Sequence, residues 1–231
     1  MSFGQNLQCL RKMRNRMTQE ELAERIGVSR QTISKWELDQ VYPEMDKAME
    51  LCDLFSCSMD ELMRGDLVIF DNAYSDIRTE IVKPFHYIKY AVISREPEED
   101  AINHVQKWAE ALGRKDAQII GWDFPFVTQE QINVCHMHGY EAALILGDEM
   151  VANLEECPEI LYQEEQKYIA ITIKDPTVEP FRLIPNAYKA LMTYMQMNGV
   201  SQKNDKKIIS CFEKEYVLDG IPYMDVYIAI K

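Results

Sequence analysis

The chain has 231 residues, 47% of them hydrophobic and 27% charged, with a formal net charge of -13. That apolar content can bury a real core in a length that suits two ordinary domains, which excludes a disordered chain. No apolar run approaches the roughly 18 residues that span a bilayer, and the N-terminus lacks a signal-peptide pattern, so a cytoplasmic protein without a membrane partner is expected.

In chain order, "LQCLRKMRN" places Leu7, Leu10 and Met13 on one stripe and predicts a first helix. Thr18 is a suitable N-cap, and Glu21 completes a capping box ahead of the apolar positions Leu22, Ala23 and Ile26. Gly27 can take the left-handed conformation that ends this second helix, and Ser29 caps a third whose inward positions are Ile33 and Trp36. "MDKAMELCDLF" and "SMDELM" supply two more amphipathic helices. The expectation is a five-helix bundle with Ala23, Val28, Ile33 and Trp36 in its core.

Over Ser2 to Asp66, "LRKMRNRMTQEELAERIGVSRQTISKWE" and "YPEMDKAMELCDLFSCSMDELM" resemble the helix-turn-helix of the lambda repressor/Cro-like (XRE-type) family. The resemblance implies that the helix from Ser29 to Leu38 enters the major groove of double-stranded DNA. It also implies that Gln19, Ser29, Arg30, Gln31, Thr32 and Lys35 form the DNA-binding face. The chemistry suits that role: Arg can fork onto guanine, Gln can pair with adenine, and Thr can meet a thymine methyl. A homodimer with two recognition helices about 34 Å apart would read a near-palindromic operator.

Charge is divided along the chain. Residues 1–36 carry seven basic and three acidic side chains, whereas residues 37–66 carry two basic and nine acidic ones. Positive charge therefore collects on the segment that would face phosphate, and DNA affinity should be modest and salt-dependent.

The helical period fades after Asp66, and residues 67–76 read as a linker. Residues 77–231 then alternate β-branched and aromatic runs with two longer helices, an α+β pattern. "HYIKYAVIS", "EPEEDAINHVQKWAEALG", "AQIIGWDFP" and "NVCHMHGYEAALIL" read as β-α-β-β. "KYIAITIK", "IPNAYKALMTYMQMNG", "KKIISCFEKEYV" and "MDVYIAIK" repeat that order. Both helices end alike, with Gly113 and Gly199 as left-handed terminators. Two such copies side by side predict an antiparallel sheet backed by two helices, with a cleft between the halves.

This order, with "GYEAALIL" closing the first half and "CFEKEYVLDGIPYMDVYIAIK" ending the chain, is similar to the gyrase-inhibitor-like (GyrI-like) effector-binding domain from Ile77 to Lys231. The resemblance implies a cleft with aromatic walls and a buried glutamate that takes a small-molecule effector, often an amphipathic aromatic cation. A hydrophobic cation needs aromatic faces and a carboxylate that it can neutralise. On a strand Glu213 and Glu215 share one face and Tyr216 lies on the other, so the pattern leaves open which Glu is meant, with Glu215 placed first. Trp122, Phe124, Phe126, Tyr140, Tyr168, Phe181 and Tyr188 are the aromatic candidates, and alternation would put Trp122, Phe124 and Phe126 on one face.

Some members of that family are hydrolases using a cleft Glu with a Tyr, and a Glu base beside a phenol is sound chemistry. Fusion to a DNA reader instead favours binding and release without turnover, so no enzyme is expected. No nucleophile elbow, phosphate loop or dinucleotide motif occurs, and no cofactor is implied. The six cysteines, at 9, 52, 57, 135, 157 and 211, form no C-x-x-C pair and suggest reduced thiols. His136 and His138 would share a face of a strand, but two ligands do not make a metal site.

Overall fold

Three N-terminal helices start on reciprocal capping boxes, Ser2 with Gln5, Thr18 with Glu21 and Ser58 with Glu61. Each box satisfies two backbone N–H groups that a helix start would otherwise leave without partners. They begin α1 (Phe3–Met13), α2 (Gln19–Ile26) and α5 (Met59–Arg64); α3 (Arg30–Glu37) begins on Ser29, whose hydroxyl accepts from the Thr32 N–H, and α4 (Met45–Phe55) comes next. Gly27 closes α2 at φ 71°, a left-handed conformation that makes the sharp turn into α3.

The computed structural model describes residues 2–65, 73–114, 117–124, 126–147 and 159–231. They form two units, Met1–Ile77 with Pro176–Ser201 and Arg78–Asp175 with Gln202–Lys231.

In the first unit Phe3, Leu7 and Leu10 of α1 meet Leu22, Ile26, Ile33, Trp36, Leu51, Phe55 and Leu62 in one core. Removing each such side chain from water contributes about 1.5–3 kcal/mol. Ala23, Ile33 and Trp36 are buried and Val28 packs at the margin, as helical spacing predicts. A buried ion pair ties the bundle together. Arg11 donates from Nε and Nη2 to the two Glu37 carboxylate oxygens at 2.6 and 3.0 Å, and from Nη1 to the Met17 carbonyl at 2.6 Å.

The helix α8 (Pro180–Met197) departs from expectation. Grouped with the sheet by its place in the repeat, it belongs by its contacts to the first unit, because its last turn offers Met197 and Tyr194 to the helical core. Asn198 is its C-cap and donates from Nδ2 to the Met13 carbonyl at 3.1 Å. Much of the linker expected at 67–76 lies outside the described residues; of its tail, the Tyr74 hydroxyl donates to the Leu183 carbonyl at 2.9 Å.

The second unit contains β1 (Arg78–Val82), β2 (Phe85–Ser94), α6 (Pro97–Ala111), β3 (Ile119–Asp123), α7 (Gln129–Asn133), β4 (His138–Leu146), β5 (Leu161–Gln163), β6 (Gln166–Lys174), β7 (Cys211–Leu218) and β8 (Ile221–Ala229). The strands make one eight-stranded antiparallel sheet in the order β1-β6-β8-β7-β3-β4-β2-β5. The expected duplication is visible in that order. The first half runs β2-β4-β3 and the second β6-β8-β7, and they meet at the pair Gly121↔Glu213 of β3 and β7. Each half also lends a leading strand to the other: β1, sequential with β2, pairs with β6, while β5, sequential with β6, pairs with β2.

One face of the sheet packs Ile88, Tyr140, Ala142 and Leu144 against Ala101, Val105 and Ala109, the inward stripe of α6. The other face gathers Ile120, Ala143, Tyr168, Phe212 and Tyr227. The segment expected as one strand from Asn133 begins at the last residue of α7, a helix that Thr128 caps, and β4 starts only at His138. His136 lies in the turn between them at φ 53°, so it does not share a strand face with His138. Gly113 and Gly199 end their helices at φ 69° and 64°, as expected of terminators.

Candidate functional site

The third helix presents Arg30, Gln31 and Lys35 to solvent because Ile33 and Trp36 point inward and fix the rotation of the helix. Arg30 Nε lies 4.0 Å from Glu20 Oε2 with both side chains about two-thirds exposed. A pair that open contributes under about 1 kcal/mol, so Arg30 can leave it for a base or phosphate. Ser29 and Thr32 face each other, hydroxyl to hydroxyl at 2.8 Å. Gln19 is turned inward: its Nε2 donates to Glu37 Oε2 at 2.8 Å, joining the start of α2 to the end of α3. The Arg11–Glu37–Gln19 cluster therefore holds α3 in its orientation.

The second candidate lies at the seam between the two halves of the sheet. A cleft of about 180 Å³ is lined by Glu98, Ile102 and Gln106 of α6, Ala117, Ile119, Ile120 and Gly121, Tyr140 of β4, Glu213 and Glu215 of β7, and Met224 of β8. Glu213 is only 9% exposed, and its Oε2 accepts from the Tyr140 hydroxyl at 3.2 Å. Gly121 makes this contact possible, since a Cβ there would collide with the Tyr140 ring and hydroxyl. Glu98 and Glu215 stand at the open side. Partial desolvation pushes the Glu215 carboxyl above its ordinary value, and desolvation together with Glu215 and Asp123 does the same to Glu98. Among the described residues the lining contains no Lys or Arg. Such a cleft favours a positively charged occupant, which would relieve both the like-charge repulsion and the lost hydration.

The structure distributes the aromatic candidates widely. Tyr140 enters this cleft beside Glu213 and Glu215. Trp122 packs with the opposite face, where its Nε1 donates to Glu141 Oε2 at 2.8 Å, while Lys89 Nζ holds Oε1 of the same carboxylate at 2.9 Å. Tyr168 is buried on that face, edge-on to Phe212, with its hydroxyl donating to the Ile209 carbonyl at 2.7 Å. Tyr216 stacks on Tyr223 at 5.6 Å. The strand β3 ends at Asp123, which breaks the alternation expected through Phe126. Phe124 therefore folds over Gly139, whose Cβ would strike its ring, and Phe126 is 84% exposed. Tyr188 lies on α8 in the other unit, and Phe181 is almost wholly exposed.

Glu98 and Met224 were not legible as site residues in the sequence. Glu98 sits in the acidic first turn of α6, a pattern that ordinarily serves the helix dipole. Among the described residues no group of three His, Cys, Asp or Glu side chains is placed to hold a metal, and no helix is long and apolar enough to cross a membrane.

Comparison with known proteins bears on the first unit most directly. Residues 10–62 match the family model described as helix-turn-helix. The chain is 41% identical over 88 residues to the HTH-type transcriptional activator BcrR of Enterococcus faecalis, an alignment covering 38% of this chain and 42% of that protein. The chain thus spans less than half the length of this relative. Among solved structures, the P22 c2 repressor in complex with a synthetic operator is 30% identical, covering 29% of this chain and 98% of the repressor chain with a TM-score of 0.27. The EcmrR–DNA complex is 12% identical, covering 93% of this chain and 85% of that one with a TM-score of 0.47.

Proposed function

We propose that the chain, whose residues 10–62 match the helix-turn-helix family model, is a sequence-specific DNA-binding transcriptional regulator whose second unit binds a small hydrophobic cation. One observation carries the DNA half: α3 exposes Arg30, Gln31 and Lys35 from a frame locked by the buried Arg11–Glu37 pair. The relative named as a transcriptional activator supports the same reading. Within it, Arg30 and Gln31 read base edges, Lys35 meets phosphate, and Ser29 and Thr32 approach the backbone at the helix N-terminus. Gln19 positions the reading helix through Glu37. The regulator acts as a homodimer, because two heads supply the affinity that one modestly charged head lacks.

The ligand half rests on three carboxylates converging on one cleft, with Tyr140 on its wall. In this reading the second unit serves as a GyrI-like effector domain, with Glu213 as the buried acid and Glu215 at the entrance. A thermal-shift screen of the full chain against hydrophobic cations and neutral aromatics tests it. Saturable stabilisation by cations alone, with the compound recovered intact, supports a sensor. Stabilisation by neutral compounds alone, or recovery of a hydrolysed product, overturns it.

A further inference from the structure

The chain leaves the sheet after Lys174, forms α8, and returns through Gln202, which bridges Ile230 ahead of β7. Although both flanks run into the second unit, the helix belongs to the first. Met197 is 5% exposed in the core formed by Phe3, Leu10 and Phe55. Asn198 Nδ2 donates to the Met13 carbonyl at 3.1 Å, and Gln196 Nε2 lies 3.5 Å from the Ser56 carbonyl. The grip is incomplete, because among the described residues Asn198 Oδ1 is buried without a hydrogen-bond partner.

We propose that α8 is the element that couples the carboxylate cleft to the DNA-reading helices, in addition to the connection through residues 67–76. This rests on the regulator reading. The strand β7 carries Glu213 and Glu215 and comes after α8 in the chain. A shift of β7 when the cleft fills is passed along residues 199–210 to a helix whose last turn is built into the DNA-binding core. The cation then biases operator binding by its differential affinity for the two placements of α8, and the operator biases cation binding by the same factor.

The test uses the full chain, a duplex selected from random sequences, and tetraphenylphosphonium as the cationic probe. The probe's dissociation constant is measured with and without saturating duplex in the wild type, Asn198→Ala and Met197→Ala. In the wild type the duplex changes probe affinity by about fivefold or more, the usual range of allosteric coupling. In both variants each ligand alone binds within about threefold of wild type, while the coupling falls below about twofold. Hydrogen exchange of the free chain adds a readout independent of both ligands: α8 and α1 exchange together in the wild type and separately in Asn198→Ala. Should Met197→Ala strip protection from α1 itself, Asn198→Ala, which leaves the apolar core intact, decides the matter. Variants that keep full coupling overturn the role of α8 and leave the regulator reading standing. A wild type that binds neither duplex nor probe overturns both.

Discussion

Glu37 shows how much one side chain can decide. Its buried carboxylate receives Arg11 twice and Gln19 once, so it joins α1, α2 and α3. Removing one charge from such a pair leaves the other uncompensated in a dry site, and Glu37→Gln should destabilise the first unit by about 3–5 kcal/mol in urea unfolding. Arg30 has the opposite character, exposed and only distantly paired. Arg30→Ala should weaken operator binding by about 1–3 kcal/mol and relax base choice at one position. An equal loss on every duplex would reassign it to phosphate. In the cleft, Glu215 has an ordinary value of 4.5 that partial desolvation raises. Its folded value exceeds its unfolded one, so its contribution to stability is fully present below 4.5 and is lost as pH rises through the raised value. Cation binding runs the other way, since the ionised carboxylate is the form that binds. Affinity should rise with pH across that window with release of protons, measurable by calorimetry in buffers of different ionisation enthalpy, and Glu215→Gln should reduce that dependence to the part that Glu98, likewise raised, contributes.

Among the elements, β3 matters most to the cleft. It is the strand at which the two halves join, and its Gly121 lies under the Tyr140 ring. Gly121→Ala should displace Tyr140 from Glu213 and weaken the cation about tenfold or more, read by calorimetry, while leaving operator affinity unchanged. Helix-level features were plainly written in the residues: the capping box at Thr18, the left-handed stop at Gly27, the Ser29 cap and the inward pair Ile33 and Trp36 all arise from local chemistry. Strand ends were harder to read. Trp122, Phe124 and Phe126 alternate in sequence, yet β3 stops at Asp123 and Phe124, beyond its end, covers Gly139.

For the whole molecule, net charge is -13, while residues 1–36 carry seven basic side chains against three acidic ones. Operator affinity should therefore fall linearly in a log–log plot against salt, with a slope of about -0.9 for each phosphate neutralised. Lys35→Ala should reduce that slope by about one unit per head and weaken all duplexes alike, as a filter-binding salt titration would show. Among the described residues, Asn198 Oδ1 and Asn6 Oδ1, both in the first unit, are buried without a hydrogen-bond partner, and each such group costs about 1–3 kcal/mol.

The sequence by itself determined the five N-terminal helices, the exposed polar face of α3 and the duplicated order of the second half, because capping, periodicity and local charge act within a few residues. It also narrowed the acid of the cleft to Glu213 and Glu215, whose common face is set by strand alternation. Which of them is buried depended on β3 pairing with β7, a contact between residues 121 and 213. The exchange of β1 and β5 between the halves, the recruitment of Glu98 and the attachment of α8 to the helical unit were likewise decided by tertiary structure. Each brings together residues far apart in the chain, and the local pattern of α8 is the same whichever core receives Met197.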